Sequence, residues 1–194
     1  HERYLYRGYL QIAALDMLDN RNVLRTLLWD PLEPMATRPL ALVQDASLYC
    51  YGTDFNKNVT EVFDAQGTIA AAYDYSPYGA VTGTGSLVQP VQWSGEMHDE
   101  EPALAYYNYR YYNPKDGRWI NRDPIAEEGG WNLYAFLGNN PQNKFDALGL
   151  IGIFGLLGGA LIDYGFQVTA NYIQGKEDPW TDIDWGSVTT SAAL

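Results

Sequence analysis

The sequence predicts a mostly β protein made of short antiparallel strands. Aromatic residues make up 14% of the chain, and its 16 tyrosines fall largely in short runs separated by glycine, asparagine, aspartate and proline. This spacing is typical of many short strands joined by tight turns. A second observation is a degenerate internal repeat, whose openings at Tyr4 and Tyr49 lie 45 residues apart. We therefore expect antiparallel strands and hairpins from residue 1 to about 122, and few helical residues before Trp131.

Two repeat units are recognisable in this region. The first opens at residues 4–9 and closes at 28–31, and the second opens at 49–52 and closes at 73–79. In the second unit an alternating run precedes the turn-forming residues 64–67 and a further strand-like run follows them, which predicts a β-hairpin. We expect the tyrosine stripes to pack on sheet faces, because cross-strand aromatic pairs stabilise sheets by up to ~1 kcal/mol each.

Two stretches interrupt the strand pattern. Residues 30–47 are poorly compatible with a central strand because they contain three prolines, Pro31, Pro34 and Pro39. We interpret them as a loop, with a short strand over 40–43 as the alternative. Residues 83–86 indicate a second loop, and a strand is predicted after it over 88–94.

Composition argues against several classes of function. The net charge of −12, from 12 basic and 24 acidic residues, is unlike that of a nucleic-acid-binding surface, which needs clustered basic residues. A single cysteine, Cys50, excludes an intrachain disulfide framework. The two histidines, His1 and His98, with one cysteine provide no zinc-type ligand cluster, and the sequence predicts neither a metal nor a cofactor. The chain opens without an initiator methionine or a signal peptide, so we expect it to be part of a longer protein.

Two aspartates stand out near the end of the strand-rich region. Asp123 precedes a proline, which neither continues a helix nor donates to a strand ladder, so Asp123 is expected at a strand end or a tight turn. The run from 131 to 138 predicts a short helix that ends at a glycine. If this turn-helix-turn brings Asp146 back to Asp123, the two carboxylates would share a proton, as in aspartic-protease chemistry. The alternative is two unrelated turn aspartates that cap backbone N–H groups.

The motifs of this region resemble those of a known family. They are residues 106–114 (Tyr-Tyr-Asn-Tyr-Arg-Tyr-Tyr-Asn-Pro), 117–124 (Gly-Arg-Trp-Ile-Asn-Arg-Asp-Pro), 132–134, 139–141, and the closing pattern Pro141-x4-Asp146-x2-Gly149-Leu150. Their order and spacing are similar to the core domain at the end of rearrangement-hotspot (Rhs) proteins. These are bacterial YD-repeat polymorphic toxins related to the C subunits of insecticidal Tc toxins.

This resemblance implies a self-cleaving chain. Carried over by motif position, Asp123 and Asp146 are the catalytic aspartates, with Arg122 assisting, and the scissile bond is Leu150–Ile151. Arg122 would lower the pKa of the carboxylate that acts as base or stabilise the oxyanion, and a plain surface ion pair is the alternative for it. Ala147 stands where the family usually has a proline. The absence of the proline ring loosens the approach of the chain to the scissile bond.

The resemblance also implies architecture and partners. The hairpins would form the end of a β-shell that encloses the chain's own C-terminal toxin segment, released by cleavage. An immunity protein and a secretion apparatus are the implied partners, and the protein would be secreted or delivered from the bacterial cell surface. The implied domains are a β-shell segment over 1–103, an Rhs-associated core over 104–150 and a glycine-rich spacer before the toxin over 151–194, truncated at Leu194.

The segment after Leu150 changes abruptly in composition. Its twelve apolar or glycine positions, 151–162, fall short of the roughly 18 needed for a membrane-spanning helix. Glycines recur near helical spacing, so a helical tail is predicted that packs its glycine face against the shell or itself, and membrane contact is expected only through 151–175. Two other functions remain open: a non-cleaving structural or adhesive YD-repeat module, and a membrane-active tail.

Overall fold

A computed structural model describes residues 1–32, 37–129, 131–142, 144–146, 148–150, 153–154, 171 and 183. Eight strands form one antiparallel sheet in sequence order: β1 Glu2–Arg7, β2 Leu10–Asp16, β3 Val23–Trp29, β4 Pro39–Gln44, β5 Ser47–Thr53, β6 Val59–Asp64, β7 Ile69–Tyr75 and β8 Val81–Gly85. Four strands form a second antiparallel sheet in the order β12-β11-β10-β9: β9 Met97–Asp99, β10 Leu104–Tyr107, β11 Arg110–Asn113 and β12 Arg118–Trp119. A two-residue pair joins β13 Lys144–Phe145 to β14 Ile153–Phe154. Three short 3-10 turns cover Trp93–Gly95, Ala126–Gly129 and Leu137–Asn139.

The predicted mostly β, antiparallel fold class is confirmed. The expected hairpin is the pair β6 and β7, and its turn is built around Asp64. The backbone carbonyl of Asp64 accepts from Gly67 N at 3.0 Å, and its side-chain Oδ1 accepts from Gln66 N at 2.9 Å and Thr68 N at 2.8 Å. An aspartate that satisfies neighbouring backbone N–H groups is the physical reason for its preference in turns.

The repeat has a structural counterpart in one aromatic hydrogen bond. The last residue of β3, Trp29, donates its Nε1–H to the Gln11 carbonyl at 2.7 Å. The last residue of β7, Tyr75, donates its hydroxyl to the Val59 carbonyl at the same distance. In both cases the aromatic ring reaches the beginning of the preceding strand, so each four-strand unit is fastened at the same place.

The predicted loop over 30–47 is wrong for its second half, where the alternative, a short strand over 40–43, is confirmed. Residues Pro39–Gln44 form β4, a central strand that pairs with β3 on one side and β5 on the other. Pro39 is compatible with this position because it is the first residue of the strand and lies at a register shift opposite Trp29. Sequence reasoning weighted the number of prolines above their position in the strand.

The predicted loop over 83–86 and strand over 88–94 are also corrected. The chain is β-stranded through Gly85, whereas 88–94 contains only an isolated bridge from Val91 and the start of a 3-10 turn. The side chain of Gln89 explains the difference. Its amide accepts from Val91 N at 2.8 Å and donates to Val91 O at 2.7 Å, so a side-chain amide takes the place of a neighbouring strand.

The short helix predicted near 131–138 does not form. The carbonyls that a helix would use accept bonds from other segments: Leu133 O from Asp123 N at 3.0 Å and Tyr134 O from Trp119 N at 3.1 Å. The 3-10 turn Leu137–Asn139 begins at the end of this run, and its three residues all have positive φ, so it is not a turn of right-handed helix. Through the hydrogen bonds to Trp119 and Asp123, this run extends the second sheet and positions Asp123.

An aromatic cluster forms the core of the second sheet. Tyr112 stacks on Phe136 with ring centroids 3.9 Å apart, and the edge of Tyr107 meets Trp119 at 5.1 Å. Trp93 also belongs to this buried cluster. The first sheet has its own aliphatic core, formed by Leu27, Leu42, Val59, Val62, Ala71 and Val91.

The predicted helical tail lies almost wholly outside the described residues. Where it is described, Ile153–Phe154 is a strand rather than helix, and Asn171 is helical and buried. In the described part of the chain, no helix has the length and apolarity to cross a membrane. The second sheet begins at Met97, ahead of the predicted boundary at 103, and the three-domain division stays a prediction.

The aromatic core generates a stability prediction. Phe136→Ala should lower the free energy of unfolding by about 3–5 kcal/mol, because it removes a ring that is 1% exposed and leaves a cavity beside Tyr112. Phe55→Ala, the same change at a fully exposed ring, should stay within about 0.5 kcal/mol. Urea unfolding monitored by tryptophan fluorescence measures both, and equal effects would contradict the assignment of this core.

Candidate active site

A buried arginine joins the two predicted aspartates. Arg110 is the first residue of β11 and is 3% exposed. Its Nη1 lies 2.8 Å from Asp123 Oδ2, and its Nη2 lies 3.5 Å from Asp146 Oδ2. The guanidinium also stacks on Trp119, with Cζ 4.0 Å from the ring centroid. The aspartates are therefore brought together through one shared positive charge.

Asp123 is held in a turn just beyond β12. Its backbone N–H donates to Leu133 O, and its carboxylate Oδ1 accepts from Ile125 N at 3.0 Å, across Pro124. This leaves Oδ2 for the arginine. The expected Asp-Pro turn is present, and its Asx-type hydrogen bond fixes the direction of the carboxylate.

Asp146 organises the segment that leads to the predicted scissile bond. Its Oδ1 accepts three backbone N–H groups, from Leu148 at 3.1 Å, Gly149 at 2.7 Å and Leu150 at 3.1 Å. Its Oδ2 faces Arg110. A single carboxylate thus wraps the chain from 146 to 150 around itself, and it is 3% exposed.

Gly149 allows this close wrapping. Its φ is +81°, a left-handed backbone conformation that residues other than glycine rarely adopt. A Cβ at this position would lie 2.8 Å from the Tyr107 carbonyl oxygen and 2.9 Å from Tyr107 Cβ. The Gly149 carbonyl accepts a hydrogen bond from Arg110 Nε. The arginine therefore contacts both aspartates and also the backbone between Asp146 and Leu150.

Two buried leucines flank Gly149 beside the site. Leu148 and Leu150 are buried, and the Leu148 carbonyl accepts from Tyr109 N at 3.2 Å in the turn between β10 and β11. Pro141, the first residue of the closing motif, is also buried. Ala147 and Ile151 lie outside the described residues. Of the two residues that form the predicted scissile bond, the structure therefore describes Leu150 alone.

Burial sets the protonation of the cluster. It raises the pKa of Asp146 to about 6, against the opposing effects of Arg110 and the three backbone N–H groups. It also raises the pKa of Asp123, where the ion pair with Arg110 again opposes the shift, and it lowers the pKa of Arg110. Asp146 is therefore the carboxyl that exchanges a proton near pH 6, in a cluster with two acids and one base.

No protein-family model matches the chain. The toxin subunit YenC2 of Yersinia entomophaga is 32% identical over 147 residues, which is 73% of this chain and 14% of YenC2. The toxin protein Tse5 of Pseudomonas aeruginosa is 46% identical over 63 residues, which is 32% of this chain and 5% of Tse5. The chain is a homologue of the Rhs and Tc toxins.

A solved structure supports the fold of this Rhs/Tc homologue. In the crystal structure of TcdB2–TccC3 with Cdc42, the matching part has a TM-score of 0.62 and 24% identity, and it covers 77% of this chain and 8% of that one. At this identity the similarity establishes the fold alone. The Rhs/Tc homologue spans at most 14% of the two toxins' lengths, so it corresponds to one part of them.

The arginine at the site is not the one that the motif suggested. Arg122 is exposed, whereas the guanidinium between the aspartates belongs to Arg110. A signal for Arg110 was present in the sequence of this Rhs/Tc homologue. Arg110 shares the inward alternation of β11 with Tyr112, so its charge is buried and requires acidic partners. Motif position alone favoured the arginine adjacent to Asp123.

The geometry of Gly149 generates the second prediction. Gly149→Ala should destabilise the Rhs/Tc homologue by about 1–3 kcal/mol beyond backbone strain, because the new methyl group overlaps Tyr107. Gly67→Ala is the matched control, since Gly67 also has φ of +81° but has nothing within 4 Å of its Cβ position. Gly67→Ala should show the strain cost alone, about 1–2 kcal/mol. Urea unfolding of both variants measures the difference, and equal losses would show that the contact with Tyr107 is unimportant.

Proposed function

We propose that this chain is the end of a toxin β-shell that cleaves its own backbone between Leu150 and Ile151, with Asp123 and Asp146 as an aspartic dyad. The observation that carries the proposal is the hydrogen bonding of Asp146. One oxygen binds the backbone as far as Leu150 N, and the other shares Arg110 with Asp123. The carbonyl carbon of Leu150 is two covalent bonds from that N–H, so the peptide bond to be cut is beside the cluster.

The chemistry requires one proton on the pair of aspartates. The ionised carboxylate removes a proton from a water molecule, whose oxygen then bonds to the Leu150 carbonyl carbon. The protonated carboxyl donates to the carbonyl oxygen. Collapse of this gem-diol intermediate breaks the bond to Ile151 N. The carboxyl that took the proton from water gives it to the departing nitrogen, and the other carboxylate takes a proton from one hydroxyl, so the products are an amine and a carboxylic acid and the pair again holds one proton. We assign the protonated role to Asp146, because its pKa is raised to about 6.

Arg110 is a positioning residue in this scheme. Its guanidinium holds the two carboxylates and the Gly149 carbonyl in one arrangement, which a flexible point charge such as a lysine would do less well. Its charge also favours the ionised form of Asp123. The role that motif position gave to Arg122 is therefore transferred to Arg110.

We extend the proposal to the wider role of the chain by comparison with its relatives. Because YenC2 and Tse5 are toxins, we assign the segment after Leu150 as the start of a toxin carried by the shell and freed from it by cleavage. The partners are then the chain's own C-terminal segment as enclosed cargo, an immunity protein and a secretion apparatus. The site of action is outside the producing bacterium.

Substitution of the dyad tests self-cleavage. Asp123→Asn and Asp146→Asn should each give a folded, uncleaved chain, because an amide supplies neither the base nor the acid. The control is Asp116→Asn, an exposed turn aspartate that accepts from Asn113 Nδ2, which should cleave as wild type does. Intact-mass measurement reports a break between Leu150 and Ile151. An uncleaved wild-type chain would contradict the proposal and favour the non-cleaving structural module.

A pair of arginine substitutions tests the transfer of role. Arg110→Gln should abolish cleavage and lower stability by about 3–5 kcal/mol, because it leaves two buried carboxylates without their counter-charge. Arg110→Lys keeps the charge without the planar fork, so it should fold better and still cleave at least tenfold more slowly. Arg122→Gln should cleave normally. Loss of cleavage in Arg122→Gln with normal cleavage in Arg110→Lys would restore the original assignment.

A further inference from the structure

The turn between β10 and β11 contacts the segment that leads to the proposed cut. Tyr109, in this two-residue turn, donates its backbone N–H to the Leu148 carbonyl at 3.2 Å. Gly149 packs against the same turn, since a Cβ there would lie 2.8 Å from the Tyr107 carbonyl oxygen and 3.3 Å from the backbone nitrogen of Arg110. The position of the segment therefore depends on the position of this turn.

The ring of Tyr109 contacts a different part of the molecule. Its centroid lies 6.1 Å from that of Tyr9, with 50° between the ring planes, which is within the range of favourable aromatic pairs. Tyr9 lies in the turn between β1 and β2. Burial raises the pKa of Tyr109 to about 12, and a hydrogen bond with the Tyr9 hydroxyl adds to the shift. Two hairpin turns, one from each sheet, thus meet through these two side chains.

The two hairpins are closely packed beside this contact. A cavity of about 10 Å³ lies between them, and its lining includes Tyr6 and Tyr9 from the first hairpin and Tyr106 and Asn108 from the second. A space of this volume has room for one water molecule at most. The contact between Tyr9 and Tyr109 therefore continues an interface that the two hairpins already form.

The β1–β2 hairpin lies at the edge of the first sheet. All six residues of β1 are exposed, and in the described part of the chain β1 pairs with β2 alone. Tyr9 and Tyr109 are themselves 37% and 36% exposed. A contact this close to the surface adds little to the stability of the fold, so its main effect is on the relative position of the two turns.

We propose that Tyr9 and Tyr109 are positioning residues for self-cleavage, through which the β1–β2 hairpin holds the β10–β11 turn against the scissile segment. The inference rests on the proposed function. Both tyrosines act through the bond from Tyr109 N to Leu148 O. Misplacing a reacting group by about 1 Å can slow a reaction about a hundredfold, so a small shift of the turn changes the rate. The segment after Leu150 is then freed only from a shell in which the β1–β2 hairpin is docked.

Substitution of each tyrosine tests this role. Chains are made by cell-free translation, and cleavage is timed by intact mass. Tyr9→Ala and Tyr109→Ala should each cleave about tenfold more slowly than wild type, and the double variant no more slowly than the slower single variant, because either change alone breaks the contact. Tyr109→Phe keeps the ring and should recover most of the lost rate. Phe55→Ala, at a fully exposed ring in the turn between β5 and β6, should cleave at the wild-type rate.

Urea unfolding separates positioning from stability. Each change is repeated in Asp123→Asn chains, which stay uncleaved under the proposed mechanism, and the folded fraction obtained from them corrects each cleavage rate. A merely structural contact would lower the urea midpoint and leave the corrected rate unchanged, which would overturn the inference. Losses of rate that multiply in the double variant would also overturn it, because the tyrosines would then act independently. A wild-type chain that fails to cleave would overturn the proposed function itself.

Discussion

The structure of the site depends on one buried guanidinium. Arg110 lies between two carboxylates, against the face of Trp119 and within hydrogen-bonding reach of the Gly149 carbonyl, and these partners come from β12, the turn after it and the turn from 146 to 150. Removing a charge of this size from water costs several kcal/mol, so the arginine is tolerated only where all of its partners are in place. The turn after β12, the turn from 146 to 150 and the end of the β10–β11 hairpin must therefore assemble together.

Such a cluster is a poor means of stabilising a fold. A buried ion pair recovers its desolvation cost only with excellent geometry, and well-packed apolar side chains of similar volume often perform as well or better. The aromatic cluster of the second sheet already provides a core beside the cluster. The cost of burying Arg110, Asp123 and Asp146 is therefore better explained by chemistry than by folding, since low solvent access shifts carboxyl pKa values towards those that acid–base catalysis uses.

Several features that depend on neighbouring residues were predictable from the sequence, whereas the hydrogen bonds and ion pairs between distant segments were mostly missed. The hairpin at Asp64 and the turn aspartates follow from local side-chain to backbone hydrogen bonds. The helix expected near 131–138 was lost because its carbonyls bind Trp119 and Asp123, which no local pattern shows. Arg110 was missed because motif position favoured the arginine adjacent to Asp123, whereas the acidic partners of Arg110 lie 13 and 36 positions away in sequence.

The hydrogen bonds of Asp146 also bear on why the proposed site would act only once in each chain. All three N–H groups that Asp146 binds belong to residues on the N-terminal side of the proposed cut, so cleavage leaves that turn intact. The new carboxylate at Leu150 would add a negative charge beside Asp146, where Arg110 already serves two acids. Like charges in a buried site oppose ionisation and raise the pKa values of the carboxyls. The product would thus hold the dyad in a more protonated state than the one that cleaved the chain, without the ionised carboxylate that a further hydrolysis would need as its base.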